Sequence, residues 1–228
     1  MSKDLIELIK KAYKGDFIDN FNAFTVKELK TNNGFMIFSK NEKYLSSEIE
    51  KFSPTYLFTQ YSYKHRYFAS YKISDKSDKT LIYVLYNPSY ANPENNDDTI
   101  KNCINLAERS GYGVVEIINL FSLRAPNPSK VKMKNSNDTN REFILNYLAE
   151  KKDDNKSDIV FAWGHGKEND SYCKQLIEEI KVALENKESF VIGVDTELLN
   201  TINHHPDKRV WNGLGGFENL SVLVPCKK

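Results

Sequence analysis

The 228-residue sequence predicts an α/β fold, a three-layer α/β/α sandwich around a mostly parallel central sheet. An N-terminal accessory segment over residues 1–55 precedes the α/β domain over residues 56–228. Three observations carry this expectation. Leu81–Tyr86 is an unbroken apolar run, as a strand buried on both faces requires, and three later runs resemble it. Single amphipathic stretches of helical period separate these runs. Strand and helix alternating in this way build βαβ units, whose right-handed crossovers put the helix-preceding loops on one edge of the sheet.

Along the chain, residues 4–13 place Leu5, Leu8, Ile9 and Ala12 on one face of a short helix. Residues 15–54 are mixed, with Phe17, Phe21, Phe24 and a strand-like Phe-Met-Ile-Phe run behind Gly34. They read as a cap or interaction segment. Tyr56–Ile73 alternates aromatic and basic residues, the pattern of a β-ribbon or of an edge strand.

Leu81–Tyr86 then empties into the stiff loop Asn87-Pro88-Ser89. Asp97 or Asp98 caps a helix that buries Ile100, Cys103, Ile104 and Ala107, and Gly111 and Gly113 end it. Val114–Phe121 is the second strand, carrying Asn119 towards Ser122–Pro126. Thr139-x-x-Glu142 resembles a capping box for a helix with Phe143, Ile144, Tyr147 and Leu148 inward. Ile159–Trp163 is the third strand and leads to Gly164-His165-Gly166. Tyr172–Leu184 is a helix with Cys173, Leu176, Ile177, Ile180 and Leu184 in register. Ser189–Val194 is a fourth strand, followed by Asn203-His204-His205-Pro206, and Leu220–Val224 is a last one.

Composition excludes several classes. Thirty-two basic residues face 31 acidic ones, so bulk attraction to nucleic acid or to a membrane is absent and such a partner must meet a local patch. No apolar run approaches the roughly 20 residues of a membrane span. The N-terminus lacks the apolar core and cleavage pattern of a signal peptide. Cys103, Cys173 and Cys226 form no CxxC, so neither a zinc site nor a disulfide framework is expected, and the cytoplasm is the expected compartment. No cofactor and no metal is implied, and a monomer is expected.

The loops at the shared edge supply the candidate chemistry. Ligands of open α/β sheets bind beyond the carboxyl ends of the strands. The groups gathered there are Asn87, Ser89, Tyr90, Asp97, Asp98, Asn119, Phe121, Arg124, Trp163, His165, His204 and His205. A buried amide such as Asn119 must be hydrogen-bonded, and its edge can read a base. His165 between two glycines permits close approach of a ligand, though it is equally an ordinary loop residue. No GxSxG elbow surrounds Ser89, and neither a P-loop nor GxGxxG occurs. What remains is chemistry with few covalent demands: amides that recognise a flat ligand, and a histidine that meets developing negative charge.

Asn87-Pro88-Ser89, Asp98-Thr99-Ile100, Gly111-Tyr112-Gly113, Asn119-Leu120-Phe121, Leu123-Arg124, Trp163-Gly164 and His205-Pro206 follow one another in this order. The series resembles a bacterial domain-of-unknown-function family whose members read LNPS, DDPT, GYG, NLFALRATDP, AWG and RHP. This likeness covers about residues 60–215. More distantly, the order is similar to that of the uracil-DNA glycosylase superfamily. That resemblance implies a glycosylase-like fold in which Asn87 holds the attacking water, Asn119 reads the base and His205 stabilises the departing base. Trp163-Gly164 matches the later strand end of that layout. The chain departs from it where no glycine precedes Asn87 and where His204-His205-Pro206-Asp207-Lys208-Arg209 replaces HPSP.

The resulting expectation is an enzyme that hydrolyses the N-glycosidic bond of uracil or a modified pyrimidine in DNA, such as the bases protecting phage genomes. Asn87, Asp98 and His205 are its catalytic candidates. Ser89, Tyr90, Asn119, Phe121, Arg124, Trp163 and His165 are its substrate contacts. Arg124, Lys130, Lys132, Lys134, Lys208 and Arg209, extended by Lys64-His65-Arg66, would meet the phosphates. A hydrolase of free nucleotides or nucleosides, and a non-catalytic reader of the same fold, are the alternatives.

Overall fold

The computed structural model describes residues 2–17, 21–30, 33–41, 63–89, 91–125, 138–164, 167–185, 187–194, 206 and 221–226. The elements are α1 (Ser2–Ala12), β1 (Phe24–Glu28), β2 (Gly34–Ser39), β3 (Arg66–Lys72), β4 (Thr80–Leu85), α2 (Asp98–Arg109), β5 (Val114–Asn119), α3 (Asp138–Lys151), β6 (Ser157–Phe161), α4 (Ser171–Leu184), β7 (Ser189–Val194) and β8 (Ser221–Pro225). Among the described residues the strands form one sheet of eight, ordered β1-β2-β3-β5-β4-β6-β7-β8.

The sheet is mixed rather than mostly parallel. Its centre, β5-β4-β6-β7, is parallel because α2, α3 and α4 supply the long crossovers that parallel neighbours need. On one flank β3, β2 and β1 join antiparallel, and on the other β8 pairs antiparallel with β7. Two apolar clusters lie against the sheet. One joins α1, α3 and α4 through Leu8, Phe143, Leu148, Leu176 and Ile180. The other joins α2, through Ile100, Cys103 and Leu106, to Leu81, Tyr83, Leu85, Val115 and Ile117.

The first 55 residues, expected to be accessory, contribute α1, β1 and β2 to this architecture. The Phe-Met-Ile-Phe run explains why. Phe35 and Ile37 enter one cluster, Met36 and Phe38 the other, so β2 is buried on both faces and needs neighbours on each side. β3 is likewise not the edge strand its amphipathic pattern suggested. It lies between β2 and β5, with Arg66–Tyr71 all buried.

The helices follow their apolar periodicity. Asp97 is the N-cap of α2, its Oδ1 accepting from Ile100 N at 3.0 Å. Gly111 (φ +82°) turns the chain out of α2 in the left-handed region, where a Cβ is disfavoured. Asp170 caps α4, accepting from Tyr172 N and Cys173 N at 3.0 and 3.1 Å. Thr139, expected as a cap, lies inside the first turn of α3, which already includes Asp138.

Candidate functional site

The chain leaves β4 to one neighbour, β5, and then crosses back to the other, β6, with α2 in one apolar cluster and α3 in the other. Such a reversal opens a crevice beyond the carboxyl ends of the strands on either side of it. Asn87-Pro88-Ser89 and Trp163-Gly164 stand at those ends. β4 and β5 are in register from Thr80↔Val114 to Leu85↔Asn119, and Phe121 N continues the ladder to Tyr86 O at 2.9 Å. Asn87 and Asn119 are therefore brought to neighbouring strand ends.

Each amide is held differently. Asn87 Nδ2 donates to Ala125 O at 2.8 Å and to Pro88 O at 3.0 Å, while Ala125 N donates to Pro88 O at 2.9 Å. Both donor protons are thereby spent stitching the loop to the segment after β5, and Oδ1 is left as the acceptor. Asn119 is 1 % exposed, yet neither atom of its amide has a hydrogen-bond partner. Leaving a buried polar group unsatisfied costs about 1–3 kcal/mol, so such an amide calls for a reason. Its main chain is well held: Asn140 Nδ2, on α3, donates to Asn119 O at 3.0 Å and to Leu120 O at 3.1 Å. By strand alternation the Asn119 side chain shares the α2 face with Val115 and Ile117.

The aromatic candidates lie elsewhere. Phe121 packs at 5.2 Å from Tyr86 and 5.1 Å from Tyr172, and Trp163 at 4.9 Å from Phe161, all within the cluster of α1, α3 and α4. They are core side chains rather than a platform over Asn119. Asp98 is exposed and stands 3.9 Å from Lys101, while Asp97 spends its second oxygen on Ala91 N at 3.1 Å. The two neighbouring acids thus divide into a fixed cap and a solvated side chain. Ser89 is half-buried on its loop.

The expected phosphate-binding patch is altered where it is described. Arg124 is 2 % exposed and donates to Tyr63 O and Ala91 O, both at 3.3 Å, with its guanidinium 5.5 Å from the Phe38 ring. Arg66 is 1 % exposed, and its Nη1 donates to Ala91 O at 3.1 Å. His65, also buried, pairs through Nδ1 with Ser122 Oγ at 2.8 Å. These groups are inside because residues 64–66 pair with Ser122–Arg124, Arg66 N donating to Ser122 O and Arg124 N to Lys64 O.

Tyr90, Lys130, Lys132, Lys134, His165, His204, His205, Lys208 and Arg209 lie outside the described residues. Pro206 is described and buried, and its carbonyl accepts from Asn102 Nδ2 of α2 at 2.8 Å, which ties the residue after His205 to the α2 side. Sequence reasoning missed Asn102 and Asn140, since an asparagine on a helix carries no local sign of a long-range carbonyl partner. A groove of about 450 Å³ lined by Lys152, Asp153, Asp158 and Glu188 sits by the amino end of β6, away from this edge.

Among the described residues no three His, Cys, Asp or Glu side chains are grouped to hold a metal, and no helix is long and apolar enough to cross a membrane. No curated protein and no solved structure matches the chain. Residues 66–206, from the first residue of β3 to Pro206, match the family model described as Protein of unknown function (DUF1643), and the chain belongs to that family.

Proposed function

We propose that the protein is a DNA glycosylase-like enzyme, which hydrolyses the N-glycosidic bond of uracil or a modified pyrimidine in DNA and so acts against phages with modified genomes. The observation that carries this reading is the unspent amide of Asn119 beside Asn87. A pyrimidine edge offers a donor and an acceptor, and one amide answers both; a buried amide without partners is what a pocket awaiting such an edge requires. The order of motifs along the chain supports the glycosylase-like form of the α/β fold, with helices layered on both faces of the sheet.

In this mechanism the flipped base hydrogen-bonds to Asn119. Water donates a hydrogen bond to Asn87 Oδ1, whose amide cannot rotate without giving up its bonds to Ala125 and Pro88. An amide is no base at neutral pH, so bond breaking leads and the water follows onto a cation-like sugar. His205 meets the charge developing on the departing base. Asp98, exposed and near Lys101, is left outside this scheme.

Oligonucleotides carrying uracil or modified cytosines, and modified phage DNA, test the reading: treatment with protein and then alkali should break the strand at the target base. Unbroken strands with salt-sensitive binding would leave a non-catalytic reader. The burial of Arg66 and Arg124, which removes two cations from the expected phosphate-binding patch, favours one second reading, a hydrolase of free nucleotides. Release of free base from nucleoside monophosphates, with none from oligonucleotides, would select it.

A further inference from the structure

A bulge in β3 aims a buried side chain at the segment that carries Asn87. Ile37 pairs with Phe68 but Phe38 pairs with Arg66, so Tyr67 is the extra residue. Regular alternation would put Arg66 on the same face as Phe68, in the cluster with α1, α3 and α4. The bulge instead gives both Tyr67 and Phe68 to that cluster and turns Arg66 to the α2 face. There its charge acts on Tyr71 and Cys103, both of the α2 cluster. Its Nη1 donates to Ala91 O at 3.1 Å, four residues past Asn87.

Asn87 and Ala91 are tied to one segment. Asn87 Nδ2 donates to Ala125 O at 2.8 Å, and Arg124, the residue before Ala125, donates through Nη2 to Ala91 O at 3.3 Å. Ala91 N is held as well, donating to Asp97 Oδ2 at 3.1 Å. Arg66 closes this ring from β3. Its side chain holds Ala91 O, and its main-chain N donates to Ser122 O at 2.9 Å, two residues before Arg124. Burying a guanidinium carries a large desolvation cost, and Arg124 already serves the same carbonyl. A carbonyl that needed only a partner would need no second arginine; one whose position must be fixed gains from two donors on separate segments.

We propose that Arg66 is a positioning residue for base excision: by fixing Ala91 it fixes the stretch of chain that presents Asn87 Oδ1 to the attacking water. The inference rests on the water-holding role given to Asn87 above. Arg66 is 1 % exposed, so it acts through Asn87 rather than on the substrate. A water acceptor displaced by about 1 Å costs on the order of 100-fold in rate. Base recognition by Asn119, whose main chain is held from α3 by Asn140, is left as it was.

Arg66→Met, which keeps an unbranched side chain and removes the donors, tests this in two readouts. In NMR spectra the Asn87 side-chain amide, assigned by its loss in Asn87→Ala, should shift and exchange with solvent about 10-fold faster than in the wild type. The Asn140 amide, bonded to Asn119 O, should stay in place. On an oligonucleotide carrying the base that the wild type removes, kcat should fall about 10- to 100-fold at an unchanged KM. Adding Arg66→Met to Asn87→Ala should lower the rate no further. A merely structural arginine would move both amides, or lower the amount of active protein and leave its single-turnover rate alone. An unmoved Asn87 amide, a KM that rises with the fall in kcat, or losses that multiply in the double variant overturns the proposal. Should Arg66→Met fail to fold, Arg66→Lys, with a point donor in place of the fork, replaces it in every arm. If the wild type excises nothing, the glycosylase reading falls, and the Asn87 amide still decides whether Arg66 positions this segment; excision with an unmoved amide does the reverse.

Discussion

The Tyr147 hydroxyl of α3 donates to the Glu116 carboxylate, an acid buried in the second of the parallel strands. Tyr13, one residue past α1, donates to the other oxygen and also reaches Ser70 Oγ at 2.8 Å. One charge at the centre of the sheet therefore pins two helices. Tyr147→Phe should cost about 1–3 kcal/mol in urea unfolding, because a buried carboxylate loses a donor it cannot replace with water. Tyr13→Phe should cost less, because the Tyr13 residue stands about half exposed at 49 % and only its hydroxyl reaches inward to Glu116 and Ser70.

The same tyrosines set an alkaline limit. Burial, and then the charge of Glu116, pushes the Tyr147 and Tyr13 hydroxyls well above their ordinary value, and burial does the same to Tyr83. In the unfolded chain these groups lose protons near pH 10, while the folded protein keeps them. The unfolded state then binds fewer protons, so stability present below about pH 10 falls as pH rises beyond it. Melting temperature measured from pH 8 to 12 should drop above pH 10, with a shallower drop in Tyr147→Phe. A flat profile would contradict the burial of these hydroxyls.

Asn119→Ala should separate stability from function. It removes two unsatisfied polar atoms at the expense of a small cavity, so the melting temperature should stay level or rise. Excision should fall on the order of 100-fold or more, since discrimination built on a buried hydrogen-bonding group is lost with it. A large loss of stability instead would mean that the amide has a structural partner.

Asn87→Asp should not yield a better enzyme. A carboxylate cannot donate to Ala125 O or Pro88 O, and it would face two carbonyl oxygens. The variant should lose about 1–3 kcal/mol in denaturant and gain no activity, although aspartate is the stronger base. Higher excision at unchanged stability would show that the loop is not held in this way.

The adjacent acids should behave unequally. Asp97→Ala removes the cap of α2 and the anchor of Ala91 N, and should cost about 1–2 kcal/mol. Asp98→Ala, at an exposed position, should stay within about 0.5 kcal/mol. Parallel thermal melts of the two variants check this.

The sequence by itself determined the periodic parts. Cys103, Leu176 and Ile180 on helical spacing, and Leu81–Leu85 as a continuous apolar run, mark α2, α4 and β4, because these signals are local and repeat within the element. It also marked Asn87 and Asn119 as polar groups at strand ends. Tertiary structure alone decided how each is used. Asn87 is locked by Ala125, 38 residues away, whereas Asn119 is left unspent. Arg66 read as part of a surface patch, yet pairing on both sides of β3 buried it and the bulge at Tyr67 chose its face. Phe121 and Trp163 read as substrate contacts at the strand ends, and both rings pack in the cluster of α1, α3 and α4. Period reports what lies next along the chain; register, bulges and sheet order arise from pairing between distant segments, and those pairings choose which side chains meet.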